Sequence, residues 1–194
     1  MSYGISVNKE RNGALLAYIA KNVPYINLRK LLKIIYLIDE KFMELRGFPL
    51  TWFDYYAWAK GPVAPEVYDI KNGAFSDYVT CAEDSEGKHI VESVIPNKYQ
   101  VLKQMEDFSQ YEIDIIDDVL ATYSSMSADD LTDKTHEENS LWTKVVAENH
   151  LSFEECSKSD IIIPLTRLNE GNAEKMEVYE DARWNIEFQA LLNN

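Results

Sequence analysis

Three histidines, two cysteines and several carboxylate pairs are the side chains through which this 194-residue chain would do proton-transfer, nucleophilic or metal chemistry. His136-Glu137 begins like the His-Glu-x-x-His helix of a zinc protease, where two histidines one turn apart hold the metal and the glutamate is the base. Glu138, Asn139 and Ser140 follow, so the second histidine is missing. His89 and His150 stand far from it in sequence, and Cys81 and Cys156 match no metal-ligand spacing. The acidic doublets Asp117-Asp118, Asp129-Asp130, Glu137-Glu138 and Glu154-Glu155 suggest paired carboxylates. Neighbours on a helix point about 100° apart, however, and do not converge on one substrate atom. No Gly-rich phosphate loop, nucleophile elbow or cysteine–histidine pair at a known spacing occurs. The expectation is no catalytic residue, no metal and no cofactor. The enzymatic alternative is a hydrolase using His136 with nearby carboxylates. The cysteines read as reduced thiols of a cytoplasmic protein.

The most informative stretch is Tyr55-Tyr56-Ala57-Trp58-Ala59-Lys60-Gly61-Pro62-Val63-Ala64-Pro65-Glu66-Val67-Tyr68. Its local physics says strand, tight turn, helix. In an extended chain Tyr56 and Trp58 point one way and Tyr55 and Ala57 the other. Gly61 can take positive φ, Pro62 fixes its own φ and restricts the residue before it, and Pro65 suits a first helical turn. Large aromatics beside a rigid turn also make an anchor for a partner. Trp58 and Trp142 are core residues by default, since either buries about 150–250 Å²; exposure would make them interface anchors instead. For His136 the expected role is a bond to a backbone carbonyl that fixes the turn into the Trp142 helix. Its alternatives are contact with a partner or a pH-sensitive latch near neutrality.

These side chains need elements to position them. Asn8 to Asn22 reads as a helix with Leu15, Leu16, Tyr18, Ile19 and Val23 inward. Asn27 caps a second helix that runs from Leu28 to Arg46 and stops at Gly47. Leu28, Leu31, Leu32, Ile35, Ile38, Phe42 and Leu45 keep 3.6-residue spacing along it. Trp52 to Ala59 reads as a strand and Ala64 to Lys71 as a short helix. Tyr78 to Ile95, broken by Asp84-Ser85-Glu86-Gly87, reads as a β-hairpin. Ser109-x-x-Glu112 and Ser127-x-x-Asp130 are capping boxes, and Ser140 opens a helix from Leu141 to Glu148. Ile161 to Leu165 is buried extended chain or a helix start. Asn172 to Leu192 is a final helix with Met176, Tyr179, Ile186 and Ala190 in one stripe. The fold class is α+β and predominantly helical: a single domain over 1–194, with a small antiparallel sheet of about three short strands packed by helices.

Composition narrows function. With 46% apolar residues the chain can bury one core, and its apolar runs fall far short of the roughly 20 residues that span a bilayer. The net charge is −14, from 19 basic and 33 acidic residues. Nucleic-acid binding draws affinity from lysines and arginines that displace counterions, so no nucleic-acid partner and no membrane are expected. Lys21, Arg29, Lys30 and Lys33 form the main basic cluster, with Lys41 further on; Arg29 and Lys33 share a helix face, which reads as solvated. An acidic protein suits a basic partner.

One order of motifs resembles a known family. Leu31-Leu32-Lys33-Ile34-Ile35-Tyr36-Leu37-Ile38-Asp39 is followed by Gly47-Phe48-Pro49-Leu50. Next come Ala57-Trp58-x-x-Gly61-Pro62-Val63 with Tyr68, and then Leu131-x-x-x-Thr135-His136 with Trp142. This order resembles the Panacea domain of SocA-like antitoxins and prophage-associated proteins, over about residues 12–146, with 147–194 as a C-terminal helical extension completing the core. The family usually has proline directly before the last tryptophan, where this chain has Leu141. The resemblance implies a non-enzymatic antitoxin of a toxin–antitoxin or phage-defence system. It would neutralise a cognate toxin, encoded by an adjacent gene, through direct binding or by delivering it to a protease as an adaptor. A prophage or mobile-element interaction protein differs from this only in the partner. The candidate partner-binding or structural residues are Trp58, Lys60, Gly61, Pro62, Val63, Pro65, Tyr68, His136 and Trp142. No helix-turn-helix block is evident.

Overall fold

The computed structural model describes residues 2–192, and one helix organises them. After a short α1 (Tyr3–Ser6) and α2 (Lys9–Asn22), α3 (Leu28–Arg46) runs through the centre. Its apolar stripe is so broad that Leu31, Ile34, Ile35, Tyr36, Ile38, Phe42 and Met43 are all sequestered, with neighbours on every side. Local chemistry sets both ends. The Asn27 side chain accepts from the Lys30 N–H, and Gly47 leaves the helix in the left-handed region at φ 82°. The predicted inward residues of α2, Leu15, Leu16, Tyr18 and Ile19, are buried, as is Val23 beyond its end.

β1 (Tyr56–Trp58) and β2 (Gly61–Val63) form an antiparallel hairpin in which Trp58 faces Gly61. The alternation read from the sequence holds: Tyr55 and Ala57 are buried while Tyr56 and Trp58 are half-buried. α4 (Pro65–Tyr68) follows with proline in its first turn, then a 3₁₀ turn over Asp69–Asn72. β3 (Val79–Glu83) and β4 (His89–Ser93) are a second hairpin, and β4 leans on α2 and α3. The strands therefore make two separate ladders, not one sheet of about three. The early strand is also shorter than the predicted Trp52 to Ala59, because Trp52 sits at φ 58°, outside extended backbone. On the free edge of β1 lies the Ile161–Ile163 segment: the Ala57 N–H donates to the Ile161 carbonyl at 2.9 Å, and the Ile163 N–H to that of Tyr55 at 2.7 Å. That settles the segment as extended chain.

α5 (Lys98–Gln104), α6 (Gln110–Tyr123) and α7 (Ala128–Thr135) close around α2 and α3, and α8 (Leu141–Glu148) packs on α7 and β1. Both predicted capping boxes are complete, and Ser140 accepts from the Thr143 N–H at 3.1 Å. A 3₁₀ turn at Leu165–Asn169 leads into α9 (Ala173–Leu192). Its predicted stripe faces inward, with Ile186 buried, Met176, Tyr179 and Ala190 half-buried, and Tyr179 5.6 Å from the Trp52 ring. No described helix is long and apolar enough to cross a membrane.

Candidate functional site

The motif residues converge where the β1–β2 turn meets the N-terminal half of α3 and the α7–α8 joint. Gly61 makes this approach possible. It sits at φ 98°, a conformation side-chain-bearing residues rarely adopt, and a methyl there would lie 2.5 Å from Lys33 Nζ and 2.8 Å from Thr135 Oγ1. Lys33 thus reaches the turn, donating to the Pro62 carbonyl at 3.1 Å. Its position corrects the expectation of a solvated basic face, for Lys33 is 1% exposed. The sequence signal lay in its neighbours: the run Leu31-Leu32-Lys33-Ile34-Ile35 leaves no solvent side on a helix surrounded by others.

Burial, with repulsion from Arg29, pulls the Lys33 ammonium from the ordinary 10.5 down to about 7. The charged groups around it include Arg29 on its own helix, Lys60 on the hairpin turn, and His136 near Asp133 at the end of α7. A stability signature follows. An unfolded lysine keeps its proton to about 10.5, whereas the folded one releases it near 7. Between those values the unfolded chain binds more protons, so rising pH favours the folded state by up to about 1.4 kcal/mol per pH unit from this group. Urea denaturation at pH 7, 8 and 9 should show that rise in the wild type and a flatter profile in Lys33→Met. Equal slopes would contradict the buried, depressed lysine.

Trp142 is buried and ties the blocks together: its Nε1–H donates to the Trp58 carbonyl at 2.9 Å. His136 lies flat on Trp142, ring centroids 3.6 Å apart and planes 2° from parallel. The expected side-chain bond from His136 to a backbone carbonyl is not formed; His136 Nε2 is buried without a hydrogen-bond partner among the described residues. The turn is fixed by the backbone instead, the His136 N–H donating to the Thr132 carbonyl at 3.0 Å and its carbonyl accepting from Thr143 Oγ1 at 3.0 Å. Burial, and then the nearby Lys33 charge, hold His136 down from 6.5 to about 4. It is neutral at physiological pH, which removes the latch near neutrality. Among the described residues no three histidines, cysteines, aspartates or glutamates converge to hold a metal ion.

Trp58 is half-buried. Its ring meets Tyr68 edge-on at 5.0 Å, and Lys158 Nζ lies 4.6 Å over it. Lys60 is exposed, Pro65 half-buried, and Pro62 and Val63 buried. Trp58, Lys60, Val63 and Tyr68 line an open cavity of about 360 Å³ together with Leu28, Arg29, Leu32 and Lys33. Six residues beyond Lys33 on α3 is a second buried charge that the sequence reading gave no role. Asp39 accepts from the Thr51 N–H at 2.9 Å, from Tyr55 OH at 2.7 Å and from Thr51 Oγ1. Burial raises its carboxyl from 3.8 to about 6, while those bonds hold the rise in check. Asp39 locks the Leu50–Tyr55 segment, and hence β1, to α3.

A central helix is thus docked by a glycine hairpin and a tryptophan-bearing helix joint, and all of these motif residues fall within one family match. Residues 31–143 match the family described as antitoxin SocA-like, Panacea domain, and the chain belongs to it. No curated protein and no solved structure matches the chain. Membership relates it to toxin–antitoxin biology, with a toxin as the general kind of partner.

Proposed function

We propose that this protein is a non-enzymatic antitoxin that neutralises a protein toxin by direct binding. The observation that carries the reading is the meeting of the family's distant blocks at one place, where Trp142 bonds the backbone of Trp58 beside an open, aromatic-walled surface. In this reading Trp58, Lys60, Pro65 and Tyr68 touch the partner. Gly61, Pro62, Val63, His136 and Trp142 form the backing that holds them still, a rigid presentation that keeps the entropic cost of binding low. The net charge of −14 steers a toxin that is basic or carries a basic patch, and disfavours nucleic acid. The toxin is the product of an adjacent gene, met in the cytoplasm, within a phage-related or other mobile element. Masking of its active surface is the simpler mechanism; delivery to a protease would use the same contact. The whole chain, with its C-terminal extension, acts as one unit.

Induction of each adjacent gene, alone and with this chain, tests the reading. One neighbour should arrest growth, and co-expression should restore it. If no neighbour is toxic, or none is rescued, the antitoxin reading fails for this chain.

A further inference from the structure

One cavity of this acidic protein is lined by cations and by no carboxylate. The chain has 33 acidic against 19 basic residues, yet Arg29, Lys33, Lys60 and Lys88 all line the 360 Å³ cavity and no Asp or Glu does. We propose that this cavity, between the start of α3, the β1–β2 turn and β4, binds a small aromatic phosphate monoester of the nucleoside monophosphate class.

Lys33 makes the case that the site is built. It is 1% exposed, and an ammonium has three donors, but only the Pro62 carbonyl accepts from it, at 3.1 Å. Among the described residues no carboxylate pairs with it. A buried cation without a counter-ion is costly, and Gly61 gives up its side chain to let that ammonium reach the turn. A ligand anion would supply the missing charge. Lys60 also has no ion-pair partner among the described residues, and the Arg29–Asp129 bridge has an aspartate that is 78% exposed, so it can exchange for a ligand.

Ring and charge number narrow the ligand. Trp58 and Tyr68, 5.0 Å apart and edge-to-face, give the cavity aromatic walls, and Leu28, Leu32, Ala59 and Val63 add aliphatic surface. Such walls favour a flat ring over a bare ion. Lys60, with Arg29 and Lys88 released from their exposed partners Asp129 and Glu86 and Lys33 holding its proton once an anion is bound, matches a phosphate dianion better than a single carboxylate, and the volume falls in the range of small-molecule sites. A polynucleotide does not suit the site, because a long polyanion would meet the net-negative surface beyond the cavity. The cavity shares Trp58, Lys60 and Tyr68 with the surface assigned to the toxin, but the proposal does not need a toxin and is tested on purified protein alone, so its failure leaves the antitoxin reading standing.

Calorimetric titration with AMP and phenyl phosphate, with adenosine and inorganic phosphate as controls, is the experiment. At least one ester should bind with a Kd below about 100 µM, and both controls at least tenfold more weakly. Arg29→Gln/Lys60→Gln removes two of the cavity's charges and should weaken the ester at least tenfold in a variant shown to be folded by circular dichroism; Lys33→Met should abolish binding if it folds. No ester binding up to about 1 mM, adenosine or phosphate binding as tightly as the ester, or full affinity in Arg29→Gln/Lys60→Gln would each overturn the proposal.

Discussion

Trp142→Ala should lower the unfolding free energy by about 3–5 kcal/mol, the cost of emptying a core site of a large aromatic. The ring is 9% exposed, stacks on His136 at 3.6 Å and lies 6.1 Å from Phe153. Its N–H is the bond that joins α8 to the backbone of Trp58 across 84 residues of sequence. Trp142→Phe keeps most of the apolar area but not the donor, and should cost about 1–2 kcal/mol. Trp58→Ala should fall between the two, because that ring is only half-buried, yet it should lose toxin protection while still folded. Urea midpoints for the three variants give the order. A Trp142→Ala cost below that of Trp58→Ala would show that the α7–α8 joint is not anchored as described.

Gly61→Ala should cost about 2–4 kcal/mol, from two separable sources. One is backbone: φ is 98°, and the left-handed region costs a side-chain-bearing residue about 1–2 kcal/mol. The other is contact, since the new methyl would sit 2.5 Å from Lys33 Nζ and 2.8 Å from Thr135 Oγ1. The ammonium must then leave the Pro62 carbonyl. In a Lys33→Ala background that first contact disappears, so the Gly61→Ala penalty should shrink by at least about 1 kcal/mol. Strict additivity in this cycle would mean that the turn does not rest on Lys33.

Much of this was legible in sequence because it is local. The Asn27 cap, the Gly47 stop, the Ser109–Glu112 box and the α9 stripe each depend on residues within a few turns, and each is found where spacing placed it. The freedom required at Gly61 was legible too, but its cause was not. Lys33 looked solvated because lysines usually are, and because Arg29 lies one turn away; only the docking of the hairpin onto α3 buries it. Asp39 was hidden for the same reason, its partners Thr51 and Tyr55 being 12 and 16 residues away. The split into two ladders follows from tertiary contacts as well, with β1 taking Ile161–Ile163 on its second edge rather than β3. His136 defeated sequence reasoning in another way: its ring stacks where a hydrogen bond was expected, and nothing in residue spacing separates those outcomes.

Direct capture of the toxin is the central claim, and affinity purification of the tagged chain co-expressed with its toxic neighbour tests it most directly. The account predicts a stoichiometric complex from rescued cells, lost with Trp58→Ala although that variant remains folded. Rescue of growth without any complex, or an undiminished complex with Trp58→Ala, would contradict it.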